Sequence, residues 1–232
     1  MNFELYDLAG CRDDLRFSPY CWRVRMALAH KGANVVTIPW HGVEKERIAF
    51  SGQGLVPVLV AGATHVSDSW RIAEFLDETV PDAPRLFDSE QGKALSLFIK
   101  HWVEQKIHPL IFKTFLPDQL ASLHPMDRET FRAVREKRFG TRLENLVLPR
   151  EEGRAALRDA LSPARGALER SAYLAGTAPA FADYILFGAL QWQRVISPDE
   201  LLDPADPVFL WRDRMLGLFG GLAGAAPRRV AS

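Results

Sequence analysis

The chain has 232 residues, of which 47% are hydrophobic and 25% charged, the balance of a globular protein with a sizeable core. Lysine and arginine together number 29, as do aspartate and glutamate, which argues against a nucleic-acid partner bound through bulk positive charge. No apolar run approaches the roughly 18 residues of a membrane span. The first residues lack the pattern of a secretory signal, and only two cysteines occur. We therefore expect a cytoplasmic protein with no disulfide framework and no membrane partner.

The first eighty residues predict the element order β-α-β-loop-β-β-α, which is that of the thioredoxin-like fold. Residues 3–8 alternate apolar and polar side chains, as in a strand. Ser18 and Pro19 suit the N-cap and first position of a helix that ends near residues 31–32. The later elements are a strand over 35–38, a polar loop over 40–54, strands over 55–60 and 64–67, and a helix over 70–78 that Asp68 and Ser69 precede.

Residues after about 89 show helical patterns and no convincing strand. Predicted helices cover 90–107, 126–146, 152–171, 180–195 and 207–219. Pro163 either kinks the third of these helices or restarts it with Ser162 as N-cap. Three prolines predict an irregular stretch over 108–125.

Together these patterns predict two domains. The fold class is an α/β thioredoxin-like N-terminal domain over residues 1–82, followed by an all-α helical domain over 88–232. We expect the functional site in the cleft between them.

Pro57 lies within an otherwise apolar predicted strand, although proline removes a ladder hydrogen bond and is normally confined to strand edges or bulges. One interpretation is an edge position or a strand start. The other is a cis Val56–Pro57 bond, which would turn the backbone N–H and C=O of Val56 towards a ligand. Only about 5–6% of X–Pro bonds are cis, so composition alone favours the first interpretation.

The neighbouring motifs change that balance. Residues 17–25 lie at the first strand-to-helix turn, 55–59 at the third strand, and 68–69 at the start of the next helix. With an all-helical second half, this ordered set resembles the glutathione S-transferase family over essentially the whole chain. Ser18 followed by Trp-Arg-Val-Arg at 22–25 is similar to the serine motif of the zeta class. The wider pattern looks more like the glutathione-dependent β-aryl etherases of lignin-degrading bacteria; it comprises Leu5-Tyr6-Asp7-Leu8, Ser18-Pro19-Tyr20, Lys31-Gly32, Asp68-Ser69-Trp70 and Phe181-Ala182-Asp183-Tyr184.

The resemblance implies glutathione as co-substrate and assigns residues to it. Ser18 would donate a hydrogen bond to the glutathione sulfur and, with the helix N-terminus, favour the thiolate of a thiol whose free pKa is about 8.5. Val56, before Pro57, would pair its backbone with the cysteinyl part, as in strand addition. Asp68 and Ser69 would hold the γ-glutamyl ammonium and carboxylate. Ordinary helix capping would also account for the serines and Asp68.

The glycyl carboxylate of glutathione needs a donor from the loop over 40–54. His41, Lys45, Arg47 and Gln53 are the candidates, and the sequence does not choose between them. His41 and Gln53 are the two that we include among the predicted binding residues.

Two other groups of residues invite a chemical interpretation. Cys21 follows Ser18 by three residues, but the missing first cysteine excludes a dithiol cycle, and we expect a small buried residue. His101, Glu104 and His108 fall on one face of a regular helix, which would suit a metal. We interpret them as a polar stretch lining the second-substrate cleft and predict no metal.

The electrophile pocket is predicted from aromatic side chains, because such pockets are mostly apolar. Its predicted residues are Tyr20, Phe98, Trp102 and Phe115, although each could equally belong to the core.

The expected reaction is attack of the glutathione thiolate on an electrophilic aromatic substrate, with β-aryl ether cleavage as the favoured case and general conjugation of activated aromatics beside it. One alternative is zeta-like isomerisation of an unsaturated diacid, which would need arginines near the sulfur; the local ones are Arg12, Arg16, Arg23 and Arg25. The other alternative is a glutathione-binding module without turnover. The relatives are homodimers, so the resemblance implies a homodimer.

Overall fold

The structure, a computed structural model, describes residues 2–229. The outer limits of both predicted domains, residues 1 and 232, lie outside the described residues. The first half contains β1 (Asn2–Leu8), α1 (Pro19–His30), β2 (Asn34–Trp40), a 3-10 helix (Lys45–Ser51), β3 (Val58–Ala61), β4 (Thr64–Ser67) and α2 (Ser69–Thr79). This is the predicted order of elements.

The four strands form one mixed sheet in the order β2-β1-β3-β4. β1 and β2 are parallel, and Leu8 at the end of β1 pairs with Trp40 at the end of β2. β3 is antiparallel to both of its neighbours, so that Val58 at its start pairs with Tyr6 and with Ser67. The carboxyl ends of β1, β2 and β4 and the start of β3 therefore lie along one edge of the sheet.

The second half is helical. It contains α3 (Glu90–Trp102), a π-helical turn (Val103–Ile107), α4 (His108–Thr114), α5 (Leu116–Ser122), α6 (Arg128–Phe139), α7 (Arg150–Ala160), α8 (Ser162–Leu168), α9 (Phe181–Ile196) and α10 (Pro207–Gly221), with short 3-10 helices at Pro125–Asp127 and Leu143–Leu146. Within residues 2–229, none of the helices is long and apolar enough to cross a membrane. The predicted fold class, a thioredoxin-like α/β domain followed by a helical domain, is confirmed.

Several predicted helix limits were wrong, for identifiable reasons. The stretch 108–125 is mostly helical, because its prolines at 109 and 117 occupy the first turns of α4 and α5, where no backbone N–H is needed. The predicted helix over 126–146 ends at Phe139, where Gly140 adopts a left-handed φ of 67°. Pro163 does restart a helix, but Ser162 is the first residue of α8 and Leu161 is its N-cap.

Packing of α9 against α1 brings the two halves together. Almost every residue of α9 is buried. Gly188 on α9 faces the first turn of α1, where a Cβ atom would collide with the carbonyl oxygen of Pro19. This close approach requires glycine and places the start of α1 directly beside the helical half.

Candidate active site

The predicted site residues of the first half gather at the sheet edge described above. α1 follows β1 through a loop that an Ala9–Arg16 bridge closes, so its first turn returns to that edge. His41 follows β2, Val56 precedes β3, and Asp68 follows β4. The topology thus brings together segments that are separated by 50 residues of sequence.

Ser18 is the N-cap of α1. Its Oγ accepts a hydrogen bond from the backbone N–H of Cys21 at 3.3 Å, and its side chain is nearly buried. Within residues 2–229 the hydroxyl donates no hydrogen bond to an oxygen or nitrogen, and the side chain that interacts with it is the Cys21 thiol, whose pKa it lowers against the larger effect of burial. Ser18 therefore caps the helix, as the plain interpretation required, and places its hydroxyl at the positive end of the helix dipole.

A buried carboxylate lies beneath this first turn. Asp7 is fully buried, with Arg25 Nη1 at 3.5 Å and Arg16 Nη1 at 3.7 Å from its Oδ2. Burial raises the pKa of Asp7, against the opposing charges of the two arginines. Burial, and next the charge of Asp7, raises the pKa of Cys21 well above its usual value. Cys21 is thus a buried, protonated thiol, as predicted, and unsuited to nucleophilic chemistry.

The peptide bond between Val56 and Pro57 is cis. β3 begins only at Val58, so Pro57 precedes the strand rather than interrupting it. Both interpretations of this proline therefore hold together. Within the described chain, neither the N–H nor the C=O of Val56 has a hydrogen-bond partner, and both remain available to an extended peptide.

Asp68 is the N-cap of α2 and has a left-handed φ of 75°. Its Oδ1 accepts from the backbone N–H of Trp70 at 3.0 Å and of Arg71 at 3.2 Å. Ser69, the first residue of α2, is almost completely buried. A positive φ in a residue other than glycine is uncommon and occurs preferentially at functional sites.

Two of the four candidates for the glycyl carboxylate are already held by carboxylates. His41 Nε2 lies 3.3 Å from Asp13 Oδ1, and its Nδ1 lies 3.5 Å from Asp127 Oδ2. Arg47 Nη1 is 2.7 Å from Glu44 Oε2. A ligand carboxylate would have to compete with these partners.

Lys45 and Gln53 are less engaged. Lys45 is exposed, and its Nζ donates to the carbonyl oxygen of Gly54 at 2.8 Å. Lys45 forms no salt bridge within residues 2–229. Gln53 is also exposed. Lys45 is therefore the cation of this loop that remains open to an anion beside Val56.

The four arginines named for a diacid substrate are all ion-paired. Arg16 and Arg25 share Asp7, and Arg12 lies 2.8 Å from Asp14. Arg23 Nη1 lies 2.8 Å from Glu104 Oε1, which joins α1 to the helical half.

Tyr20, two residues after Ser18 in the first turn of α1, contacts the helical half. Its hydroxyl lies 3.5 Å from Nδ1 of His108, and the ring centroids are 5.3 Å apart at nearly a right angle. His108 in turn contacts Trp192 of α9, with centroids 5.8 Å apart. The guanidinium of Arg23 lies 4.6 Å from the centroid of the Tyr20 ring. Tyr20, one of the predicted pocket residues, thus lies where the two halves meet.

This cluster contains buried polar atoms without partners. They are Nε and Nη2 of Arg23, Nε2 of His108 and Nε1 of Trp192, none of which is hydrogen-bonded within the described part of the chain. Burial, and next the charge of Arg23, lowers the pKa of His108 well below its usual value, so the ring is neutral. These atoms belong to a larger set of buried polar groups without a protein partner within residues 2–229, and they are the members of that set that lie beside Tyr20.

The expected shared face of His101, Glu104 and His108 is not present. The π-helical turn over Val103–Ile107 adds one residue to the helix and rotates all positions beyond it. His101 is exposed, whereas Glu104 binds Arg23 and Lys100, and His108 contacts Tyr20. No group of three or more potential ligands is placed to hold a metal in residues 2–229.

The other three aromatic residues predicted to line the pocket differ in their burial. Phe115 is fully buried beneath the guanidinium of Arg150, 4.7 Å from its ring centroid, so it is a core residue and its assignment to the pocket was wrong. Phe98 is 69% exposed and Trp102 is half-buried, one helical turn apart on α3. Their role in the pocket stays a prediction.

Comparison with known families decides the classification. Residues 17–79 match the model of the glutathione S-transferase N-terminal domain, and residues 94–203 match that of the C-terminal domain. The chain belongs to the glutathione S-transferase superfamily.

Two curated superfamily members are similar to it. A glutathione S-transferase-like protein of Aspergillus flavus is 31% identical over 172 residues, and glutathione S-transferase 1 of Dianthus caryophyllus is 34% identical over 115 residues. These alignments cover 66% and 47% of this chain but only 61% and 48% of the two relatives.

Solved glutathione transferases share its fold. GSTFuA2 of Phanerochaete chrysosporium matches with a TM-score of 0.74 at 25% identity, covering 97% of this chain and 94% of that one. A glutathione S-transferase of Ceriporiopsis subvermispora, solved in complex with glutathione, matches with a TM-score of 0.80 at 22% identity, covering 98% and 99%.

Several residues of this superfamily member were missed at the sequence level. Trp192 carries no local signal, because it lies in a helix that is buried along almost its whole length. The partnership of Arg23 with Glu104 joins residues 81 positions apart. Glu104 and His108 were interpreted only as part of a polar stretch, whereas both contact α1, Glu104 through Arg23 and His108 through Tyr20.

Proposed function

We propose that this protein is a glutathione transferase whose glutathione thiolate attacks an electrophilic carbon of an aromatic acceptor. The observation that supports this most is the hydroxyl of Ser18 at the N-terminus of α1, which donates to no oxygen or nitrogen within residues 2–229. It lies on the same sheet edge as the unpaired backbone of Val56 and the capping carboxylate of Asp68.

Glutathione would bind along this edge in an extended form. The backbone of Val56 would pair with the cysteinyl residue, as an added strand does. Asp68 would bind the γ-glutamyl ammonium, and Ser69, at the N-terminus of α2, would bind its carboxylate through its hydroxyl and backbone N–H, because the amides of Trp70 and Arg71 already donate to Asp68. Lys45 replaces His41 as our candidate for the glycyl carboxylate, because carboxylates of the chain already occupy His41. Gln53 would be its neutral neighbour.

The reaction needs little from the protein beyond an ionised sulfur. The thiol proton leaves to solvent, and the Ser18 hydroxyl and the helix dipole stabilise the thiolate. The sulfur then bonds to the acceptor carbon while the leaving group departs with the electrons of the broken bond. With a β-aryl ether, that leaving group is a phenolate, which solvent protonates.

An aromatic acceptor fits the helical side of the site. Tyr20 presents aromatic surface there with His108 and Trp192 packed behind it, and Trp102 and Phe98 extend it on α3 in our proposal. The diacid alternative is less well supported, because each of the four arginines near the first turn already contacts a carboxylate, with Arg16 and Arg25 sharing Asp7.

The test is turnover with glutathione on three acceptors: a β-aryl ether dimer, 1-chloro-2,4-dinitrobenzene and a maleyl diacid. We expect glutathione-dependent product from the aromatic acceptors. Retention on immobilised glutathione without any turnover would instead support the binding module, and product from the diacid alone would support the isomerase. The homodimer that the resemblance implies is to be measured by light scattering of the intact chain.

A further inference from the structure

α6 carries an unusual set of side chains on one face. Phe131, Arg135 and Phe139 follow each other at intervals of four residues, with Arg138 beside them. We call these four residues the α6 arginine face.

This face continues the surface that begins at Tyr20. His108 and Phe112 are one turn apart on α4, so they lie on the same side of that helix. His108 contacts Tyr20, whereas the Phe112 ring stacks on Phe139 with centroids 5.6 Å apart. The α6 arginine face is therefore joined to the candidate active site through a single helical turn.

Arg135 is held between two rings of this surface. Its guanidinium carbon lies 5.4 Å from the centroid of Phe131 and 5.7 Å from that of Phe112. Aromatic faces orient a guanidinium plane and leave its edge free for planar, two-point hydrogen bonding.

No carboxylate of the described chain satisfies Arg135. It forms neither a salt bridge nor a hydrogen bond within residues 2–229, although Arg132 on the same helix pairs with Glu136 and Glu144. The charged groups that act on it are Arg138 and Tyr20, and burial lowers its pKa. Burial raises the pKa of the Tyr20 phenol. The positive charges of Arg135 and Arg138 are close enough to act against this rise.

Arg135 is half-buried, has no counter-ion within residues 2–229 and keeps its guanidinium nitrogens accessible to solvent, so it is available to an anionic ligand. The residues that approach it are aromatic, so the ligand that fits is an aromatic ring carrying an anionic group. We propose that Arg135 binds a carboxylate on the acceptor and that aromatic carboxylic acids are the preferred acceptors of this site. The preference for aromatic acids as acceptors in turnover rests on the proposed function, whereas the binding of a carboxylate by Arg135 does not.

The inference differs from the diacid alternative in place and in chemistry. The arginine lies on α6 rather than at the first turn of α1, and it binds one carboxylate remote from the reacting carbon. With 4-chloro-3-nitrobenzoate as probe, the glutathione sulfur bonds to the carbon that bears chlorine, the C–Cl bond breaks, and chloride leaves with its electron pair. The thiol proton goes to solvent, and the carboxylate is unchanged.

The experiment compares kcat/KM for 4-chloro-3-nitrobenzoate and its methyl ester, which differ in the anionic group. Because a charge-assisted pair is lost, we expect Arg135→Gln to lower kcat/KM for the acid at least about tenfold. The value for the ester should stay within about twofold. Arg135→Lys should restore part of the loss. Arg142→Gln, an exposed arginine beyond the end of α6, is the matched control and should change neither value.

A second measurement separates this inference from the proposed function. Unreactive 3-nitrobenzoate and its methyl ester are titrated against tryptophan fluorescence with glutathione present. If Arg135→Gln binds the acid more weakly but the ester equally well, the result supports the inference even when neither chloro compound is turned over. The absence of turnover would contradict only the proposed transferase activity. Equal losses for acid and ester in Arg135→Gln, or equal affinity of the wild type for both, would overturn the inference.

Discussion

The two sides of the candidate site are built in different ways. The strand-end side consists of Ser18, Val56 and Asp68, which act through helix caps and backbone groups where strands begin or end. The helical side consists of Glu104, His108 and Trp192, which act through side chains brought to α1 by the π-helical turn and by α9. The positions of the functional groups on the strand-end side are thus determined by short segments of sequence. On the helical side they depend on the rotation and spacing of whole helices.

The largest effect expected on the strand-end side is that of Ser18→Ala. Removing one preorganised donor to a developing or full anion should lower kcat about a hundredfold at neutral pH. The pKa of the bound thiol should rise towards that of the free thiol, so activity should recover as the pH is raised. A kcat–pH profile measures both effects, with Ser18→Thr as the control that keeps a hydroxyl. An unchanged profile on every accepted acceptor would remove Ser18 from the mechanism.

On the helical side, Glu104→Gln should cost about 2 kcal/mol of unfolding free energy, because it leaves the buried Arg23 without its anion. Burial raises the pKa of Glu104, but Arg23 and Lys100 together outweigh it and hold that pKa below its usual value. The stabilisation is therefore complete above the unfolded pKa of about 4.3 and disappears as the pH falls through the folded value.

Urea unfolding at pH 7 and at several lower pH values measures this difference, with the exposed Glu129→Gln on α6 as control. A difference from wild type that does not shrink in acid would show that the charge of Glu104 is not what stabilises the junction.

A smaller effect is expected for Asp68→Asn. Asparagine is an equally good N-cap and tolerates a positive φ, so stability should hardly change. Loss of the charge should weaken glutathione binding about tenfold, as measured by calorimetry. Asp82→Asn, in the exposed segment after α2, is the matched control. Equal affinities of wild type and Asp68→Asn would refute the γ-glutamyl assignment.

The smallest effect is expected for Lys45→Gln, which should weaken glutathione binding about threefold at low salt and less at high salt, because Lys45 is exposed. Arg47→Gln removes a similar charge that Glu44 already neutralises and should leave the affinity unchanged. Titration of both variants at two ionic strengths distinguishes them. A loss confined to Arg47→Gln would reverse the assignment.

The features that could be predicted from sequence are those that short segments determine, as on the strand-end side of the site. The element order, the cap at Ser18 and the cis bond before Pro57 depend on neighbouring residues, and all three are present. The irregular stretch expected over 108–125 was wrong, because proline content alone does not tell a helix interior from its first turn.

The pocket assignment of Phe115 failed for a related reason. The sequence around an aromatic residue does not show whether its ring faces a ligand or packs in the core. The full burial of Phe115 under Arg150 depends on a helix that comes much later in the chain. Only the packed helices distinguish Phe115 from Tyr20.

The wide turn at Val103–Ile107 has a consequence for reasoning by homology. A superfamily member that lacks this extra residue would present a different side chain to Tyr20 from the same aligned column, since every position beyond the turn is rotated by about 100°. Acceptor preferences can therefore be transferred past residue 103 only from members that share this turn, even where the glutathione-binding half aligns without a gap.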